Sequence, residues 1–384
     1  MEKYRSWIEI SKENLKNNIE VARRFIKNDA GFIAVVKANA YGHGVVLVSK
    51  LLEKYGIDVL AVVSLEEALE LVRGGIKAPI LVLGPVFDFE THYIGELNNK
   101  GVMFTVYDFE SLNFFEKAAK KFNKIIRVHL KVDSGMGRLG FNPKEAVDAY
   151  EKISRSKFLK IDGVFSHLYA AGSSNLMHNS KQIKVFSGVL GQIKKIDPDI
   201  YKKKIHLEKS AGLQMRQELK EAGCNFIRVG IVMYGMDPFF GPEKNNKKIF
   251  KGLKPILSLK TRVGQVKELP KGHCVSYDST FITKKKTKTA VLPIGYYEGL
   301  DRRFSNNGFV KINGKYAPII GKVCMDLVVV DVSNIKDVKV GDEAIVIDND
   351  SKSLNSADNM ARRVGTVNYE ITAKLDTKIP RIVV

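Results

Sequence analysis

At 384 residues the chain is too long for one average domain and long enough to bury a large core, so a large α/β domain with a smaller companion is expected. No apolar run approaches a membrane span and the N-terminal stretch MEKYRSWIEISKENLKNN lacks the apolar core of a signal peptide, so a cytoplasmic protein is expected. The formal charge of +20 admits nucleic acid, an acidic membrane face or anionic small ligands, but the lysines fall in scattered clusters such as Lys202 to Lys204 and Lys284 to Lys286. They carry no aromatic interleaving and no nucleic-acid motif, so neither a nucleic-acid nor a membrane partner is expected.

From residue 32 to about 231, short Val- and Ile-rich runs alternate with stretches of helical period, the pattern of repeated βα units. The eight runs are FIAVVK at 32, DVLAVV at 58, PILVLG at 79, VMFTV at 102, IIRVHLKV at 125, IDGVFSHL at 161, KIHLE at 204 and FIRVG at 226. Between them lie amphipathic segments such as SLEEALELVRGG, closed by Gly74 and Gly75. Eight parallel strands in this length predict a (β/α)8 barrel, with an open doubly wound sheet as the alternative that periodicity leaves standing. After about residue 245 the pattern becomes mainly β, with Asn313-Gly314 as a hairpin signal and helical period returning only at SADNMARRVG. The division expected is 1–245 for the barrel and 246–384 for a β-rich domain, with GPEKNNKKIFKG as linker and the first few residues packing on the second domain. Cys224, Cys274 and Cys324 are far apart and odd in number, which fits reduced thiols rather than a disulfide framework or a zinc site, and no metal is expected.

Barrels gather their chemistry at the C-terminal ends of strands. The first strand ends in Lys37, followed by ANAYGHG, whose two glycines let a loop fold back over the strand ends. A strand-ending lysine is either a solvated cap or, at a barrel mouth, a desolvated amine suited to bond a carbonyl. In IIRVHLKV, Arg127, His129 and Lys131 share the face opposite Ile126, Val128, Leu130 and Val132, which turns three basic side chains inward unless the strand lines a wet groove. The loop DSGMGRLG then delivers Arg138. Ser166-His167, Ser210-Ala211-Gly212 and Gly230-Ile231 end later strands, and small residues after the last two are where barrels bind phosphate.

Here the sequence resembles the alanine racemase family. AVVKANAYGHG is similar to its pyridoxal-phosphate attachment motif, KVDSGMGRLGF to its substrate-arginine loop and FIRVGIVMYG to the segment facing the cofactor's pyridine nitrogen. VSYDSTF, LPIGYYEG, GKVCMD and TVNYEI match in order, so the resemblance covers nearly the whole chain.

The resemblance implies that Lys37 carries pyridoxal 5'-phosphate, that Tyr41, Ser210, Gly230, Ile231 and Tyr369 hold its phosphate, and that Arg228 faces its ring nitrogen. His167 then flanks the ring, or stands as a satisfied strand-end histidine. Lys37 and Tyr277 are the implied bases for the two faces of the α-carbon, with Arg138 on the substrate carboxylate or cofactor phenolate and Lys131 as a lysine the family often carries as a carbamate. Tyr277, Met325 and Asp326 are implied to enter a partner's barrel mouth in a head-to-tail homodimer, with Tyr296 as gate. The implied activity is interconversion of L- and D-alanine; rivals are a racemase of serine or broader specificity, a fold-related decarboxylase, a pyridoxal-phosphate carrier without turnover, and a nucleic-acid-binding module. Lys209, Tyr297-Glu298 and Lys322 depart from the family pattern near the phosphate serine and the substrate approach.

Overall fold

The computed structural model describes residues 4–26, 29–171, 177–207, 210–239 and 250–384. The chain opens with β1 (Ser6–Ile10) and then builds eight parallel strands where the periodicity puts them. These are β2 (Gly31–Val35), β3 (Val59–Val62), β4 (Ile80–Val82), β5 (Phe104–Val106), β6 (Ile126–Lys131), β7 (Leu159–Phe165), β8 (Lys204–His206) and β9 (Phe226–Val229). Two parallel sheets, β4-β3-β2-β9 and β5-β6-β7-β8, are closed into a barrel at both seams. A parallel bridge joins Leu81 to Met103 at one seam. At the other, Asn225 completes the ladder by accepting at Oδ1 from Ile205 N (2.8 Å) and donating its own N–H to Ile205 O (3.1 Å). Closure removes the open-sheet alternative, because no exposed edge remains between β8 and β9.

The barrel interior is chemically divided. Ile33, Val35, Val59, Ala61, Leu81 and Met103 form an apolar cluster on the β2 to β5 side. On the β6 to β9 side the buried side chains are His129, Lys131, Phe165, His206 and Arg228. Alternation along each strand sends the other set, including Ile126, Val128 and Leu130, outward into the main core under the helices. Of the three inward basic side chains expected on β6, His129 and Lys131 are buried while Arg127 stays partly exposed and pairs with Asp162.

The second unit begins with β10 (Leu257–Arg262), β11 (Gln265–Leu269), β12 (Cys274–Val275), β13 (Phe281–Ile282) and β14 (Thr287–Leu292). It continues with β15 (Phe309–Ile312), β16 (Lys315–Pro318), β17 (Val328–Asp331), β18 (Glu343–Ile347) and β19 (Arg381–Val383). A six-stranded sheet runs β16-β15-β18-β10-β1-β19, so the N-terminal strand completes the sheet of the C-terminal half, antiparallel to β10 and parallel to β19. Asn313 and Gly314 join β15 to β16 with positive φ at both residues (47° and 76°), as the primed hairpin turn demands. The expected linker falls mostly on residues 240–249, outside the described residues, as does Lys209. Cys224, Cys274 and Cys324 are free thiols. Among the described residues no helix is long and apolar enough to cross a membrane.

Candidate active site

The segment after β2 has a conformation that composition does not announce. Ala38, Asn39, Ala40 and Tyr41 all take left-handed backbone angles, with φ between 52° and 55°. The sequence suggests that Gly42 and Gly44 alone make the tight return, yet four L-residues with Cβ atoms share it. Each such residue costs roughly 1–2 kcal/mol, so the turn persists only because its surroundings over-determine it. Glu67 Oε1 accepts from Ala38 N (2.6 Å) and its Oε2 accepts from Val63 N (2.7 Å). Asn39 Oδ1 accepts from Val45 N (2.7 Å). His43 Nδ1 donates to the carbonyls of Ala40 (2.8 Å) and Tyr41 (2.9 Å). Burial lowers the His43 pKa to about 4, so this imidazole is neutral at neutral pH.

This turn places Lys37 and Tyr41 at the barrel mouth. Burial, reinforced by the nearby Arg138 charge, lowers the Lys37 pKa, with Glu67 opposing. Tyr41 packs against Tyr234 (4.9 Å between ring centroids) and meets Tyr369 edge-on at 6.4 Å. Its hydroxyl lies above Gly230, where a Cβ would come within 2.8 Å of Tyr41 Oη. Gly230 N donates to Ser210 Oγ (2.9 Å), which leaves the serine hydrogen free to donate onward. Ile231 is buried beside them. Tyr41, Ser210 and Gly230 thus meet in one cradle at the ends of β2, β8 and β9, in which the two neutral hydroxyls are left to donate and Tyr369 stands beside Tyr41.

Below the cradle, Arg228 is buried and donates to the carbonyls of Ser166 (2.7 Å), Leu207 (3.1 Å) and His206 (3.3 Å). It also donates to His206 Nδ1 and to His167 Nδ1, the latter at 3.2 Å. The Phe165 ring lies 5.3 Å from the Arg228 guanidinium and 5.4 Å from Lys131 Nζ, and stacks on His206 at 4.8 Å. Burial first, then the charges of Arg138 and Arg228, lowers the Lys131 pKa to about 8. Burial pushes the Asp133 carboxyl up, but N–H bonds from Gly135, Met136, Gly137 and Arg138 outweigh it and hold the pKa below its usual value. That carboxylate shapes the glycine loop, and the Arg138 charge that the loop carries acts on both Lys37 and Lys131.

The residues from the second half gather elsewhere. Tyr277 is 64% exposed, and its loop is held within its own domain: Ser276 Oγ donates to Lys322 O (2.7 Å) and Asp278 pairs with Lys322. Tyr296 N donates to Cys324 O (3.1 Å) and Tyr297 N to Met325 O (2.9 Å). Tyr277, Tyr296, Met325 and Asp326 therefore stand on one exposed cluster of loops, tied to each other rather than to Lys37. The departing Glu298 accepts from Gly295 N (2.8 Å) and faces Arg5 at 3.8 Å, so it braces the turn behind Tyr296. His43, Glu67, His129, Phe165 and His206 are site components to which sequence reasoning assigned no role. For His43, His129, Phe165 and His206 the one sequence signal is position on an inward strand face or in the glycine loop, which by itself names no partner; Glu67, in the first turn of the helix Leu65–Arg73, has none.

A closed parallel barrel with a desolvated lysine, a cradle of neutral hydroxyls and a buried donor-only arginine, followed by a β domain, defines a two-domain barrel enzyme class. Residues 10–238 match the family model "Alanine racemase, N-terminal domain" and residues 256–383 match "Alanine racemase, C-terminal domain". The chain belongs to the alanine racemase family, which is pyridoxal-phosphate-dependent. An alanine racemase of Methanococcus maripaludis is 38% identical over 377 residues, covering 98% of each chain. The alanine racemase structure from Clostridium difficile superposes with a TM-score of 0.91 at 30% identity, covering 100% of this chain and 97% of that one. The Bacillus anthracis alanine racemase structure with bound L-Ala-P gives 0.87 at 34% identity, covering 100% and 96%.

Proposed function

We propose that the chain is a pyridoxal-phosphate-dependent alanine racemase, cytoplasmic and homodimeric, using Lys37 and Tyr277 as bases on opposite faces of the α-carbon. The observation that carries this reading is that Lys37, whose amine pKa burial lowers, stands just after β2, beside the strand of Arg228 and at the strand ends that bring Tyr41 over Gly230 and Ser210. The cradle fits a phosphate, since the Tyr41 and Ser210 hydroxyls are both left to donate and the missing side chain of Gly230 lets the Tyr41 hydroxyl sit close over its backbone. The lysine fits the aldehyde, since desolvation lowers the pKa of the amine and so raises the share of it that is free to attack a carbonyl.

When bound, the cofactor supplies an electron sink for the charge left on the α-carbon after proton removal. Arg228 sets the depth of that sink: a guanidinium has only donors and stays charged, so it keeps a facing ring nitrogen unprotonated. Held by three carbonyls and two imidazoles, Arg228 is fixed as a donor. A shallow sink favours rapid return of the proton to the same carbon, which suits racemisation.

Lys37 Nζ takes or gives a proton on one face. Tyr277 Oη, reaching in from the partner with Met325 and Asp326 while Tyr296 gates the approach, serves the other. Exposure of Tyr277 on its own chain supports a base that works in a neighbouring mouth. Arg138 binds the substrate carboxylate, His167 flanks the ring, and Lys131 carries a carbamate, for which a pKa near 8 supplies the free amine.

The purified protein is expected to absorb in the visible range, to lose that band on borohydride reduction with label trapped at Lys37, and to exchange the α-hydrogen of alanine ahead of serine. A colourless protein that takes up no pyridoxal phosphate overturns the reading; CO₂ release without racemisation replaces it with a decarboxylase.

A further inference from the structure

Arg381 lies far from the reacting atoms, yet one guanidinium ties together the two segments that bear the cradle tyrosines. Its Nη1 donates to the carbonyls of Asp376 and Ile379, both at 2.7 Å, and its Nη2 to Leu375 O (3.4 Å) and across the domain boundary to Gly42 O (3.1 Å). Gly42 follows Tyr41 directly, and Leu375 and Asp376 follow the helix Asn368–Ala373 that carries Tyr369. The backbone of Arg381 is itself anchored, because β19 pairs with β1 and sets Arg381 opposite Ile8. Gly42 takes φ 85° and packs so closely on that helix that a Cβ would lie 1.9 Å from Thr372 O.

We propose that Arg381 is a positioning residue for the anion cradle, holding the left-handed turn of Tyr41 against the helix of Tyr369 so that the two hydroxyls converge on one phosphate. The inference deepens the cofactor assignment above and rests on it. It explains why the strained turn persists at the tyrosine end: the Lys37 end is fixed independently by Glu67, whereas the Tyr41 end hangs on Gly42 O and on His43. Arginine is needed because two nitrogens must each serve two carbonyls in one plane, which a lysine ammonium cannot reproduce.

The test titrates apo-protein with pyridoxal phosphate and with pyridoxal, which keeps the aldehyde and lacks the phosphate. R381M is expected to weaken pyridoxal phosphate binding by about tenfold, the loss of one tyrosine hydrogen bond to the charged phosphate, with pyridoxal affinity unchanged. R381K should fall between wild type and R381M and serves as the deciding variant if R381M does not fold, as judged by its thermal midpoint. Parallel loss of both ligands, or an unchanged ratio between them, overturns the clamp. Wild-type protein that binds neither ligand defeats the cofactor reading itself, and the clamp with it.

Discussion

His206 Nδ1 accepts a hydrogen bond from the Arg228 guanidinium, and this fixes the proton of His206 on its other nitrogen. Because arginine has only donors, His206 Nε2 must carry the hydrogen and donate to His129 Nδ1, 3.1 Å away. Burial keeps both imidazoles neutral, the His129 pKa falling to about 3 and that of His206 well below its usual value. Three buried side chains in series thus hold one cation in place.

Replacing His206 by leucine leaves the buried guanidinium short of an acceptor. Stability should fall by about 1–3 kcal/mol, the penalty for an unsatisfied buried polar group, read from urea unfolding of the apo-protein. The visible band of the holoenzyme should also shift, since Arg228 would no longer be fixed. An unchanged spectrum would show that Arg228 is oriented by its carbonyl partners and His167 without His206.

Stability should decline as pH falls from 6.5 toward 4. His43 has a folded pKa of about 4 against an unfolded value of about 6.5. In that window the unfolded chain binds a proton that the folded chain refuses, so stability is full above pH 6.5 and is lost on acidification, by about 3 kcal/mol from this residue alone. His129 and His206 act in the same direction. Urea midpoints at pH 7 and pH 5 measure the slope, and His43→Asn should reduce it by close to one proton.

Gly230→Ala should weaken cofactor binding without unfolding the barrel. The new Cβ would stand 2.8 Å from Tyr41 Oη, and the tyrosine ring is hemmed by Tyr234 and Tyr369. A loss of about tenfold or more in pyridoxal phosphate affinity is expected, measured on apo-protein, with the thermal midpoint little changed.

Tyr277→Phe and Lys37→Ala should each reduce racemisation by roughly 100-fold or more. Mixed and reassociated, the two variants should recover part of the wild-type rate, because a shared-site dimer then contains one mouth with both bases intact. Absence of any recovery in a verified mixed dimer would mean that Tyr277 does not act across the interface.

Period-two and period-3.6 patterning placed all eight barrel strands, because strand burial in a βα repeat is local and repeats in sequence. The Asn313-Gly314 hairpin was legible for the same reason: its backbone angles are set by the two residues themselves. Lys37 and Arg138 were legible as candidates because strand ends and glycine loops mark a barrel mouth, whereas Arg228, inside β9, was singled out only by the family resemblance. Tertiary structure alone decided that Ala38 to Tyr41 turn left-handed, since their intrinsic preference is the opposite and contacts such as those of Glu67, His43, Arg381 and the packing of Gly42 on Thr372 override it. It also decided that His206 joins Arg228 across 22 residues of sequence and His129 across 77, and that β1 completes the C-terminal sheet. Such contacts depend on which distant segments barrel closure brings together. The sequence names the groups; the closed barrel decides which of them touch.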